Sequence, residues 1–164
     1  MRLFDLEPHR KRRQLQRANS ALRKGDHATA IAEYKALLAD DPDNTAFLLN
    51  LGAALHLAGQ HTPAIERFER VLELDPGSAT ALINLAAAHA TLGHVDKAIA
   101  ILAQALEIDA AKRDLHYNLA ALYLRKGLLP NAMAELELEL ALHPDHALAS
   151  STLADLRRQY LGRP

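Results

Sequence analysis

Cysteine and tryptophan are both absent from this 164-residue chain, and aromatic residues of any kind make up only 4% of it. Without cysteine there is no disulfide, no thiolate metal site and no cysteine nucleophile, and the redox compartment stays open. The shortage of aromatics, beside abundant alanine and leucine, suits close helix-on-helix packing better than a sheet sandwich. No apolar run approaches the roughly 20 residues that a membrane span requires. The charged opening from Met1 to Gln14 holds no signal-peptide apolar stretch, so the expected location is cytoplasmic, with a missing native leader left open. Also missing are a phosphate-cradling glycine loop, a Gly-x-Ser-x-Gly elbow and an acid pair set apart from solvated acidic faces. The expectation is a chain that is not an enzyme and uses no cofactor.

What is present suits one globular unit: 49% of the residues are hydrophobic. Net charge is −1, yet residues 1–24 hold eight Lys/Arg against Asp5 and Glu7, so the remainder carries −7. Residues 1–10 therefore read as a basic arm, which could meet nucleic acid or an anionic membrane surface. The plainer reading is a solvated terminus, because Arg10 to Arg13 is a short run without interleaved aromatics.

The chain repeats itself. Gly25, Gly59, Gly93 and Gly127 follow one another at 34-residue steps, and each is followed five residues later by Ala30, Ala64, Ala98 or Ala132. The same step links Tyr34, Phe68, Leu102 and Leu136, then Leu38, Leu72, Leu106 and Leu140, then Pro42, Pro76, Ala110 and Pro144. The units run 11–44, 45–78, 79–112 and 113–146. Within a unit, Leu48, Leu51, Gly52 and Leu55 mark one apolar helical face, and Ala64, Phe68, Val71 and Leu72 mark another. Each unit is thus a helix pair, with a glycine that takes a left-handed cap after the first helix and, in the first two units, an Asp-Pro that stops the second. Pro63 and Pro130 fall in the first turn of a second helix, where the missing N–H costs nothing. One pair cannot bury its apolar stripe alone, so neighbours must stack with a core continuous along an elongated, curved array.

These residues resemble the tetratricopeptide-repeat (TPR) family, most closely in the second unit with Leu51, Gly52, Gly59, Ala64, Phe68 and Pro76. The fourth follows with Leu119, Ala120, Tyr123, Gly127, Ala132 and Pro144. The resemblance covers residues 11–146 and implies an all-α fold, a right-handed α-α superhelix of four helix-turn-helix repeats. Departures from the family pattern include Ala110 in place of a proline, His89 in an aromatic slot, Glu139 in a slot usually small, and Arg17 where the other units have leucine. Residues 147–164 then read as a capping helix and tail, with Ala149, Leu153, Leu156 and Tyr160 on the covered side. One local signal disagrees: Leu136 to Leu142 alternates leucine with glutamate or alanine like a strand, but the repeat register overrules it.

In such repeats the first helices line the concave side. Asn50, Asn84 and Asn118 stand 34 residues apart there, with Gln16 in the matching place. Amides at these places can pair with both backbone groups of an extended peptide. The alternative, that they tie helix to helix, stays open. Leu49, Ala53, Ile83, Ala87, Tyr117, Ala121, Leu124 and Arg125 would add a mostly apolar channel, although several could instead face neighbouring helices. A family clamp for a terminal carboxylate is mostly missing: Asn19 and Asn50 fit, but Leu15 and Thr80 stand where basic residues are wanted. Nine histidines raise a metal question, and His143, Asp145 and His146 cluster, but no His-x-x-x-His pair supplies further ligands, so no metal site is expected. The favoured function is binding of another protein or peptide segment. A self-assembling homo-oligomer stands second, and nucleic-acid or membrane anchoring through Arg10 to Arg17 third.

Overall fold

The computed structural model describes residues 7–162. Among them lie nine helices and no strand: α1 (Glu7–Arg23), α2 (His27–Asp40), α3 (Thr45–Leu57), α4 (His61–Leu74), α5 (Ala79–Thr91), α6 (Val95–Ile108), α7 (Leu115–Arg125), α8 (Leu129–Leu142) and α9 (Ala147–Leu161). They form an all-α solenoid of four helix pairs closed by α9. None of these helices is long and apolar enough to cross a membrane. The alternating Leu136–Leu142 stretch lies inside α8. Of the expected basic arm, residues 1–6 lie outside the described residues, while residues 7–10 already belong to α1.

Local chemistry sets the helix ends. Gly25, Gly59, Gly93 and Gly127 all have φ between 72° and 86°, the left-handed region where a Cβ would strain the chain. At the helix starts, the side chain of Asp26 accepts from Thr29 N–H at 3.1 Å, Asn44 from Phe47 at 3.1 Å and Ser78 from Ala81 at 3.4 Å.

Packing follows the 34-residue register. Ala30, Ala64, Ala98 and Ala132 are fully buried, as are Tyr34, Leu102 and Leu136, with Phe68 at 1% exposure. Small residues let helices approach closely at these levels. At Gly52 the approach is closest, since a Cβ there would lie 2.5 Å from Cε1 of Phe68. Among the pairs, α3 touches α5 and α5 touches α7 directly, whereas second helices meet each other chiefly through the first helices between them. The first helices are therefore the crowded, inner side of the curve.

The fully buried core residues group into clusters that partly buried side chains join. A large apolar cluster runs from α1 to α7, with a small satellite of Leu48, Val71 and Ala81 beside it. Another, comprising Ala120, Ala132, Leu136, Ala149, Leu153 and Leu156, covers the end of the array. Tyr123 packs against both the large cluster and this terminal one. One position in the repeat series stands out. Leu37, Val71 and Ala105 are buried and apolar, but the next residue in this series is Glu139, also fully buried.

Glu139 has a specific task. Helix-capping positions recur as Asn44, Ser78, Lys112 and His146, and lysine has no acceptor to offer. Helix α7 accordingly starts two residues late, at Leu115, behind Asp114 in a left-handed conformation (φ 70°) whose side chain makes no cap bond. Glu139 supplies the cap from α8: Oε1 accepts from Asp114 N–H at 3.0 Å and Oε2 from Tyr117 N–H at 3.3 Å. Around it, Arg113 pairs with Asp145 at 3.0 Å, His116 Nδ1 meets Glu135 Oε2 at 2.7 Å, and His143 Nε2 donates to the carbonyl of Ala111 at 2.9 Å. Most of these bonds lie within the fourth repeat, whose Leu115, Leu119 and Leu122 share the large apolar cluster with Ala98, Ile101 and Leu102 of the third.

Helix α9 buries Ala149, Leu153 and Leu156 as expected, but Tyr160 is 51% exposed. It lies beside Leu129, Pro130 and Met133 at an open hollow of about 460 Å³ between α8 and α9.

Two stability outcomes follow. Gly52→Ala should destabilise the chain by about 1–3 kcal/mol in urea unfolding through overpacking against Phe68, and Phe68→Leu should recover part of that loss in the double variant. Glu139→Ala should cost about 2–4 kcal/mol by leaving two N–H groups at a buried helix start without a partner. Hydrogen exchange should then accelerate at Asp114 and Tyr117 far more than in α3.

A candidate peptide-binding inner face

Helices α1, α3, α5 and α7 carry every residue expected to bind a ligand, and their surroundings differ. Asn50 and Asn84 are half-buried and make no hydrogen bond to another described residue. Asn118 is also half-buried, but its Nδ2 donates to the carbonyl of Asp114 at 2.8 Å, one turn back along the chain. Gln16 is exposed at the matching level of α1. Asn19 is occupied otherwise: its Oδ1 accepts from the Tyr34 hydroxyl at 2.5 Å, a bond between the two helices of the first pair.

The apolar positions divide in the same way. Ile83 is 8% exposed and belongs to the large core cluster, and half-buried Leu49 packs against that cluster too. Tyr117 and Leu124 are half-buried against the terminal cluster, with the Tyr117 ring 5.0 Å from that of His146. Arg125 is exposed, and its Nη1 donates to the carbonyl of Ala90 on α5. A hollow of about 200 Å³ opens between α5 and α7, lined by His56, Ala87, Thr91, Asn118, Ala121 and Arg125. Its walls are small side chains, with one amide and one guanidinium at the edge.

Residues that sequence reasoning did not single out complete this surface. Arg23, Leu57 and Thr91 precede Arg125 at the 34-residue step, and all four are exposed, Leu57 at 58%. The repeat spacing carried this signal.

The histidines fall into two kinds of arrangement. His56 faces His61 with Nδ1 atoms 3.1 Å apart, and His89 faces His94 at 3.3 Å, each pair spanning the turn between the helices of one repeat. His89 fills its expected aromatic slot at 5% exposure, with Nε2 buried and unpartnered. Burial, then the neighbouring Lys97 and His94, hold its pKa below the ordinary value, against an opposing pull from Glu69. Burial and His61 depress His56 likewise.

His146 belongs to a second arrangement, with Asp114 and Glu139, whose ligand-type atoms lie within 4.8 Å of one another. Hydrogen bonding accounts for that grouping. His146 Nδ1 accepts from Ala149 N–H at 3.2 Å and so caps α9, which leaves the proton on Nε2 to be donated to Asp114 Oδ1 at 2.8 Å. A protonated Nε2 has no lone pair for a cation. The chemistry here is structural capping.

Two family models, each described as a tetratricopeptide repeat, match residues 15–66 and 55–113. No curated protein matches the chain. Among solved structures, the chain is similar to the MamA protein at 26% identity, covering 90% of this chain and 81% of that one, with a TM-score of 0.70. It is similar also to a thermophilic TPR protein of Thermus thermophilus at 25% identity, with 85% and 77% covered and a TM-score of 0.78. YrrB, described as a TPR protein with an unusual peptide-binding site, shares 24% identity over 82% of this chain and 70% of that one, with a TM-score of 0.69, a likeness of fold.

The buried histidine sets a pH response. With the folded-state pKa depressed below the ordinary 6.5, stability is full above that value and declines as pH falls, because the unfolded chain binds the proton more readily. The melting temperature should drop between about pH 7.5 and about pH 5. His89→Phe should reduce that drop, with the remainder shared by His56 and the carboxyl groups. A drop of unchanged size would remove His89 from the account.

Proposed function

Because this chain belongs to the tetratricopeptide-repeat family, we propose that it is a non-catalytic protein-interaction scaffold, cytoplasmic, whose concave face holds an extended peptide or protein segment. The observation that carries this reading is the amide ladder. Asn50 and Asn84 retain their full hydrogen-bonding capacity at the edge of an otherwise apolar wall, and Asn118 retains its carbonyl oxygen. Asparagine is a poor helix-interior residue, so amides kept at such positions suit a ligand's backbone. At roughly 8–10 Å between helices and about 3.3 Å per extended residue, the ladder would meet every second or third residue of a bound strand. Contact through backbone groups implies broad sequence tolerance, with selectivity left to the side chains beside the ladder.

A second reading, self-assembly, draws on the outer helices, where Leu74, Ile108 and Leu142 recur at the repeat step with 37%, 43% and 43% exposure. Nucleic-acid or membrane anchoring through α1 has weaker support, since Lys11 and Arg17 already pair with Asp40 and Glu33.

Selection from a displayed library of random peptides tests the first reading. The triple variant Asn50→Ala, Asn84→Ala and Asn118→Ala should lose the selected peptides while its helicity holds or rises, since alanine favours helix more than asparagine does. Retained binding would remove the ladder from the mechanism. Light scattering across a range of concentrations tests the second: a monomer throughout disposes of it.

A further inference from the structure

The two layers of the solenoid differ in charge: the outer helices are acidic, while the inner ones lack acids beyond α1 and carry their cations on α1 and at Arg125. Helices α3, α5 and α7 contain no Asp or Glu, and with α1 they hold seven Lys/Arg against the single acid Glu7. Helices α2, α4, α6 and α8 hold ten acids against four cations. Composition alone does not demand this split, because both layers have exposed positions that tolerate either sign.

The inner face also has a defined pattern. Along its rim run Arg23, Leu57, Thr91 and Arg125, so a guanidinium stands at each end of the row. Among the described residues neither arginine has a carboxylate partner, in contrast to Arg17, Arg67, Arg70, Arg113, Arg157 and Arg158. Beside the rim, half-buried Ala87 and Ala121 line the hollow of about 200 Å³. An apolar cavity of roughly 150 Å³ accepts a benzene molecule, so this one has room for a leucine or phenylalanine side chain.

We propose that the occupant of the inner face is an extended acidic peptide, with one bulky apolar side chain seated in the hollow between α5 and α7 and carboxylates on Arg125 and Arg23. The proposal rests on the groove reading above and adds the chemistry of the partner. Three repeat steps separate the arginines, roughly 24–30 Å, which about eight extended residues span. A peptide carboxylate placed there meets no like charge on α3, α5 or α7, whereas on the outer layer it meets an excess of acids, so charge fixes both the face and the sign of the partner. A single-stranded nucleic acid fits less well, because such ligands stack their bases on aromatic platforms and the wall between the arginines is alanine.

Fluorescence anisotropy with three labelled peptides of about ten residues tests the proposal: one mixing Asp and Leu, one mixing Lys and Leu, one mixing Asp and Ser. The Asp/Leu peptide should bind at least about tenfold more tightly than either of the others, with affinity falling as salt rises. Arg125→Glu, a change at an exposed side chain, should weaken it about tenfold and shift preference toward the Lys/Leu peptide. Ala121→Trp, which fills the hollow, should weaken the Asp/Leu peptide with the helical circular dichroism intact. Equal binding of the Asp/Leu and Lys/Leu peptides would overturn the acidic preference, and if Ala121→Trp still weakened both, the groove reading would survive it. If Ala121→Trp left every peptide unaffected, groove and preference would fall together. Tighter binding of an oligothymidylate of similar length would overturn the proposal in favour of nucleic acid.

Discussion

The fold depends on how closely two helices can approach when one of them offers a residue with almost no side chain. Gly52 of α3 lies against the ring of Phe68 on α4, and the second helices bury Ala30, Ala64, Ala98 and Ala132 completely. The dispersion attraction between any two atoms at such a contact is slight, but it falls off steeply with separation. The spacing between helices is therefore the quantity the sequence controls most tightly. From it follow the crowding of the first helices, the direction of curvature and the inner face itself.

The third junction obeys the same constraint by different means. With Lys112 unable to cap, the start of α7 would expose amide groups inside the protein, and the carboxyl group of Glu139 meets that need from a neighbouring helix. A polar group placed there cannot also serve as apolar core, and the apolar cluster continues past it through Leu115, Leu119 and Leu122 of α7 to Tyr123. Stability at this point combines directional bonds with the area buried by these side chains.

Much of this was readable in the sequence, for a physical reason: glycine, proline and alanine at fixed intervals act locally, through backbone geometry and size. The turns, the helix pairs, the helical state of Leu136–Leu142 and the burial of His89 all follow from such local or periodic rules. Tyr160 does not, because its exposure depends on how α9 is set against α8, which no spacing rule fixes. Glu139 was visible as an oddity in its slot, but its partner lies 25 residues away at Asp114, and no spacing rule links them. Of the inner-face residues, periodicity found the amides and Arg125. It could not tell that Ile83 turns into the core or that Asn19 is held by Tyr34, because the degree of rotation of each helix is set by packing.

The dependence of α7 on Glu139 has a consequence for the order in which the molecule can be made. A growing chain leaves the ribosome amino end first, and in the first three pairs α2, α3 and α5 take their caps from the residue just before each helix, with most of the large core alongside. The fourth pair is different, since its leading helix begins at Leu115 and waits for a residue translated later, and His146 ties the start of α9 to Asp114 in turn. The carboxy-terminal third is thus completed as one unit, after the rest is in place.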